Sequence, residues 1–193
     1  PEEWPERFTF SLTERVNLKM RYEREADKLE KLGLEEQEFE RRWRQLWFEN
    51  LVDDRDQYKF FHAHTFSPNQ LNLRLSMFWF NHFTIGMKGE THNFIGHSWA
   101  QILSLLDGSF KDLLYYSICH PGMLSYLDNI YSFGPRSERG RNDGVSLNDN
   151  LARELLELHT VSPAAQYSEK DIHEAAKVLT GWGAGGFDYK WSP

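Results

Sequence analysis

Apolar and polar positions along the 193-residue chain recur with helical rather than strand periods. Residues 11–32 open on Ser11-Leu12-Thr13-Glu14, a capping-box pattern, and close at Gly33. Between these signals the charges alternate in sign from Arg21 to Lys31, and apolar positions are thin (Val16, Met20, Leu29, Leu32). This predicts a solvent-rich helix of the kind that lies across another domain or subunit. Residues 35–51 put Phe39, Trp43, Leu46, Trp47 and Asn50 on one face, an amphipathic helix whose two tryptophans pack inward. Ser67-Pro68-Asn69-Gln70 is a further start signal, with Ser67 as N-cap and Pro68 at the first helical position. The helix it begins should run to Ile85 and stop at Gly86. Its last turns, Met77 to Phe83, are apolar nearly all round, which predicts burial in the middle of a bundle. Further helices are expected at 93–106, 110–119 (capped by Ser109 with Asp112), 121–128, 149–160 and 168–181 (capped by Ser168 with Asp171).

The expected fold class is therefore all-α: an irregular helical bundle of about seven helices, with one long exposed loop near 129–147 marked by Gly134, Pro135, Gly140 and Gly144. Residues 1–60 read as a charged helical N-terminal segment, 61–182 as a helical core domain, and 183–193 as a Gly-rich linker. The run from Gly181 to Gly186 follows a helix, whereas a phosphate loop precedes one, so it reads as a C-cap.

Charge sharpens this division. The net charge is −7, and residues 1–60 carry 28 of the 51 charged side chains. All eight histidines lie beyond residue 60, so that is where chemistry is expected. A single cysteine excludes a disulfide framework and a cysteine-based zinc site. No apolar run is long enough to span a membrane. The only basic cluster is Arg136, Arg139 and Arg141 on the long loop, which together with the acidic balance argues against a nucleic-acid partner. The chain opens on Pro1 without an initiator Met and stops just past the Gly-rich stretch, so it reads as part of a longer protein.

Three polar clusters sit inside apolar helices. Asn81 and His82 lie among aromatics in Phe78-Trp79-Phe80-Asn81-His82-Phe83; if buried they must be hydrogen-bonded, as a core histidine joining two helices or as a catalytic group. Asn150, Arg153, Glu154 and Glu157 share one helix face, an inter-helix salt-bridge network or solvated stripe unless it turns to the bundle interior. His159 lies about 160° from Glu157 at 100° per residue and should stay apart from it. His120 precedes Pro121 at a helix break, with Asp128 and Asn129 downstream; a cationic His120 closing the preceding helix is the plain reading. His62-x-His64 and His92-x4-His97 are weak metal pairs, and no HExxH, Walker A, GxGxxG or GxSxG spacing occurs. Neither a metal nor another cofactor can be assigned from these spacings.

FWFNHFTIG, HPGMLSYLDN, NDNLARELLELHT and YSEKDIHEAAKVLTGW, in that order, resemble the bacterial domain-of-unknown-function family numbered 1800, over roughly residues 70–182. The resemblance implies a largely helical, exported protein, periplasmic or extracellular, more than twice this length, with its C-terminal part absent here. It transfers no reaction. Matching positions include Trp79, Asn81, His82, His120, Asp128, Asn129, Asn148, Arg153, Glu154, Glu157, His159, Thr180 and Gly181. After His159-Thr160 the family usually continues Leu-Gly, whereas this chain has Val161-Ser162-Pro163, so the turn into the last helix is expected to differ. The leading expectation is a helical interaction or scaffold domain of an exported or cell-envelope protein, bound to a protein partner or to the missing C-terminal part. The alternative is a hydrolytic or metal-assisted enzyme with His82, Glu154 and Glu157 in one pocket and Asn81, Arg153, Asn150, His120, Asp128 and Asn129 as binding groups.

Overall fold

The computed structural model describes residues 10–50, 53–87, 91–134, 136–142 and 146–182. These form ten α-helices and no strand: α1 Leu12–Glu30, α2 Glu36–Asn50, α3 Asp53–Phe66, α4 Gln70–His82, α5 His92–Ser104, α6 Phe110–Ile118, α7 Pro121–Tyr126, α8 Glu138–Asn142, α9 Asn150–Glu154 and α10 Glu169–Leu179. The all-α class expected from the sequence is the class observed. Short 3-10 turns at Asn129–Tyr131 and Pro163–Ala165 and a π turn at Leu155–His159 complete the described chain. The long loop thus holds a 3-10 turn and the short α8. The proposed linker at 183–193 lies outside the described residues.

Local signals place the helix starts. The hydroxyls of Ser11, Ser109 and Ser168 each accept from the amide of the third helical residue, while Glu14, Asp112 and Asp171 return a bond to the cap. Each box satisfies two otherwise unpaired donors and places an acid in the positive first turn. Gly33, at φ +58°, ends the first hairpin arm in the left-handed conformation. The fourth start differs. Asn69, not Ser67, occupies the cap of α4, and Ser67 is held apart from the helix by accepting from the Asn69 amide at 3.2 Å. The helix also stops at His82, three residues earlier than expected. α3 has no predicted counterpart: its apolar residues are spread around its circumference, so no single stripe marks it in the sequence. It runs through the 60/61 boundary without a break.

α5 is the central element and packs against α1, α3, α4, α6 and α7. The main core joins Phe83 and Ile85, Ile102 of α5, Leu113 and Ile118 of α6, Met123 and Leu124 of α7, Leu127, and Leu151 of α9. A small second cluster, Ala152, Ile172 and Ala176, seals α9 to α10. α1 is not merely solvated: it buries Arg15, Val16, Lys19, Ala26 and Leu29. α2 lies on it, with Tyr22 edge-on to Trp43 and Trp47 at 5.9 and 6.0 Å. α4 is not sealed within the bundle either. Its Leu73 and Ser76 face inward, while Leu71, Leu75 and Phe78 look outward.

The turn into α10 carries visible strain. Ser162 has φ +63° and ψ 162°, a conformation essentially restricted to glycine. Its amide donates to the Leu156 carbonyl at 2.9 Å and its carbonyl accepts from Ala165 at 3.0 Å, so both ends are pinned. This is the position where the resembling family usually has glycine. Replacing Ser162 with Gly should relieve about 1–3 kcal/mol of strain against about 0.5–1 kcal/mol of extra backbone entropy. Thermal unfolding should show Ser162→Gly melting about 2–4 °C higher, with Ser162→Ala unchanged or lower; a Gly variant that melts at or below the parent contradicts the strain.

Candidate functional site

The sequence-predicted residues divide into four separate places. His82, at the end of α4, donates from Nε2 to the His159 carbonyl at 3.1 Å, and the two rings lie 6.0 Å apart. The end of the π turn makes this contact: the last carbonyls of a helix have no partner within it, and the Thr160 hydroxyl takes Leu155 at 2.6 Å while His82 takes His159. His159 is buried against Phe83, its Nδ1 lacks a partner, and burial pushes its pKa down to about 4. Asn81 is exposed, with its carbonyl accepting from the Thr84 hydroxyl at 2.5 Å, so the expected buried Asn-His pair is a half-buried histidine beside a surface amide.

Arg153 lies among Asp149 (3.2 Å), Glu157 (3.4 Å) and Glu169 (2.7 Å), joining α9 to the first turn of α10. Glu169 holds the guanidinium firmly in its charged form, and Arg153 in turn lowers the Glu169 pKa. This is the inter-helix salt-bridge network, at the protein surface. Glu154 is half-buried and is not one of Arg153's partners. Asn150 is exposed, its amide donating to Asn148 Oδ1 at 3.0 Å. His82 and Glu157 are thus engaged with different groups, and among the described residues no three His, Cys, Asp or Glu side chains gather to hold a metal ion.

The third place is a lock between α7 and α10. Asn129 is fully buried, and its amide donates to the carbonyls of Leu179 (3.0 Å) and Trp182 (3.1 Å). Asp128 before it takes a left-handed φ of +57°, turning the chain so that Asn129 points back at the end of α10. Ser132 extends the lock: its hydroxyl meets Thr180 Oγ1 at 2.8 Å and accepts the Asn148 amide at 3.0 Å.

A buried ion pair has no counterpart among the residues singled out from the sequence. Arg15 and Asp56, 3% and 7% exposed, form a two-pronged pair at 2.5 and 2.8 Å. The same guanidinium donates to the carbonyls of Asn93 (2.7 Å) and Phe10 (3.2 Å). α1, α3 and α5 meet here. Gly96 makes the meeting possible, since a Cβ on it would overlap the Asp56 carboxyl group. Next along α5, His97 Nδ1 lies 3.0 Å from His120 Nε2. The Gly122 amide donates to His120 Nδ1 at 3.1 Å, so the His120 proton sits on Nε2 and is donated to His97. His120 is therefore a neutral N-cap of α7, not a cation closing α6. Burial lowers its pKa to about 3, and that of His97 to about 4. The available signal was Asn93 and His97 at i, i+4, with Gly96 beside them, on a helix that also carries Phe94, Ile95, Trp99 and Ile102. Cys119 offers no nucleophile, because burial pushes its thiol up to about 11.

The chain belongs to the family described as "Protein of unknown function (DUF1800)", whose model matches residues 6–192 and so includes the N-terminal hairpin that resembles it less clearly by motif. No curated protein matches the chain. No solved structure matches it.

Acid should open the His97–His120 pair. Both bind protons more readily unfolded, near pKa 6.5, than folded, so their contribution is whole above about pH 6.5 and is lost as pH falls toward 4 and 3. His120→Asn keeps an acceptor for Gly122 and a donor for His97 but does not titrate. Urea unfolding between pH 7 and 4 should show a shallower acid decline for His120→Asn; an equally steep decline contradicts the assignment.

Proposed function

We propose that this chain is a helical interaction domain of an exported or cell-envelope bacterial protein, docking a protein partner or the C-terminal part of its own longer chain through the outer face of α4. The observation that carries this reading is an uncovered apolar stripe. Leu71, Leu75 and Phe78 recur at i, i+4 and i+7 and are 69%, 43% and 61% exposed. Phe61 and Phe66 of the neighbouring α3 add two more exposed rings. Scattered apolar residues on a surface need no explanation, but a helical stripe beside further aromatics has the form of a binding face.

The interior supports the same reading. Asn129, Ser132, His97 and His120 are engaged with one another and with the backbone, fixing how helices meet. No helix among the described residues is long and apolar enough to cross a membrane, and the stripe belongs to a 13-residue helix too short to do so. The exported setting rests on the family resemblance.

A benzoylphenylalanine crosslinker at position 75, introduced into the native host, tests the reading. It should give one dominant adduct, identified by mass spectrometry as a partner protein or as the chain's own C-terminal region, that disappears when Leu71 and Phe78 are changed to Ser. A crosslinker at the exposed Arg24 position of α1 should not give it. Identical patterns at both positions, or no adduct at 75, contradict the docking face.

A further inference from the structure

Where α3 and α4 diverge across α5 they leave a half-enclosed cavity of about 290 Å³. Phe60, Phe61, Phe80, Met87, Ile95 and Trp99 form its walls, so the surface facing the cavity is almost wholly apolar. Gln57, His92 and Asp56 are the polar side chains of its lining. We propose that this cavity is a binding site for a small, uncharged, two-ring aromatic molecule, beside the docking face on α4 and sharing Phe61 with it.

Three observations carry the proposal. The first is rigidity. The Trp99 indole donates to the Ser76 hydroxyl at 3.0 Å, and that hydroxyl donates to the Leu73 carbonyl at 2.7 Å, so the ring is anchored to α4. Phe60 lies edge-on to Trp99 at 5.1 Å and packs on His64 at 4.1 Å, which fixes the second wall. His92 is turned by Trp47, edge-on at 5.1 Å. Walls held in this way keep their shape without a ligand, and binding then costs little ordering.

The second is size. A dry cavity of about 150 Å³ takes one benzene ring, and this one has about twice that volume. The third is charge. Among the described residues lining the cavity Asp56 alone is charged, and both of its carboxylate oxygens already accept from Arg15. A cation would find a carboxylate already neutralised, and an anion would be brought up to it; either would lose hydration without a counter-charge. A neutral ring system can stack on the aromatic walls and set one donor or acceptor toward Gln57.

Methyl NMR of the full chain, with indole as the neutral probe, tests this. Indole should shift the Ile95 and Met87 methyl signals saturably, with a Kd on the order of 0.1–1 mM. Indole-3-acetate and tryptamine should bind at least about tenfold more weakly. Phe61→Ala and Met87→Ala change exposed side chains at the rim and should weaken indole at least about threefold, with methyl spectra elsewhere unchanged. Absence of a saturable shift up to the solubility of indole overturns the proposal. So does equal binding of the charged analogues, or full affinity retained in both variants.

Discussion

The bidentate pair between Arg15 and Asp56 decides how the two halves of this chain meet. Removing two charges from water costs several kcal/mol per ion, and only close geometry with every donor engaged offsets it. Here the guanidinium serves Asp56, the Asn93 carbonyl and the Phe10 carbonyl together, so one side chain of α1 fixes α3, α5 and the entry of the chain. The absence of a side chain at Gly96 lets Asp56 approach α5. His97, one residue on, is surrounded by Arg15, Asp56 and His120, and stays neutral because a further cation beside Arg15 would be both desolvated and repelled. The charged N-terminal hairpin is thereby attached to the histidine-bearing bundle through its least solvated charge.

Capping chemistry was legible because it is local: a serine and an acid three residues later suffice, and the three boxes at Ser11, Ser109 and Ser168 all form. α3 was not legible, because a helix with apolar residues on several sides has no single apolar stripe. The outer face of α4 was read as buried because an apolar circumference implies neighbours all round, and the described chain supplies them only on one side. Arg15 lies in a charge-rich helix where nothing local separates a buried guanidinium from a solvated one. Its partner lies 41 residues away. His120 was read correctly as a helix-end residue but in the wrong charge state, since the amide that protonation would strand comes from the following helix.

The motifs shared with the family are thus helix-junction devices in large part. Asn129 and Thr180 close α10 on α7, His120 starts α7 and meets α5, and Arg153 ties α9 to α10. With these groups engaged at helix junctions, the described surface includes two apolar features of different form: a convex stripe on α4 suited to a protein surface and a concave aromatic cavity beside it suited to a small ring. Both exist because α3 and α4 lean on α5 more than on each other.

A substitution cycle at Arg15 and Asp56, read by urea unfolding and by amide exchange of α1 and α2, tests the central claim most directly. The account predicts that Asp56→Leu and Arg15→Met each cost about 3–5 kcal/mol by stranding the other charge and release exchange protection in the N-terminal hairpin first. The double variant, with both charges removed, should recover most of that stability and protection. Single variants that unfold within about 1 kcal/mol of the parent, with the hairpin still protected, would contradict it.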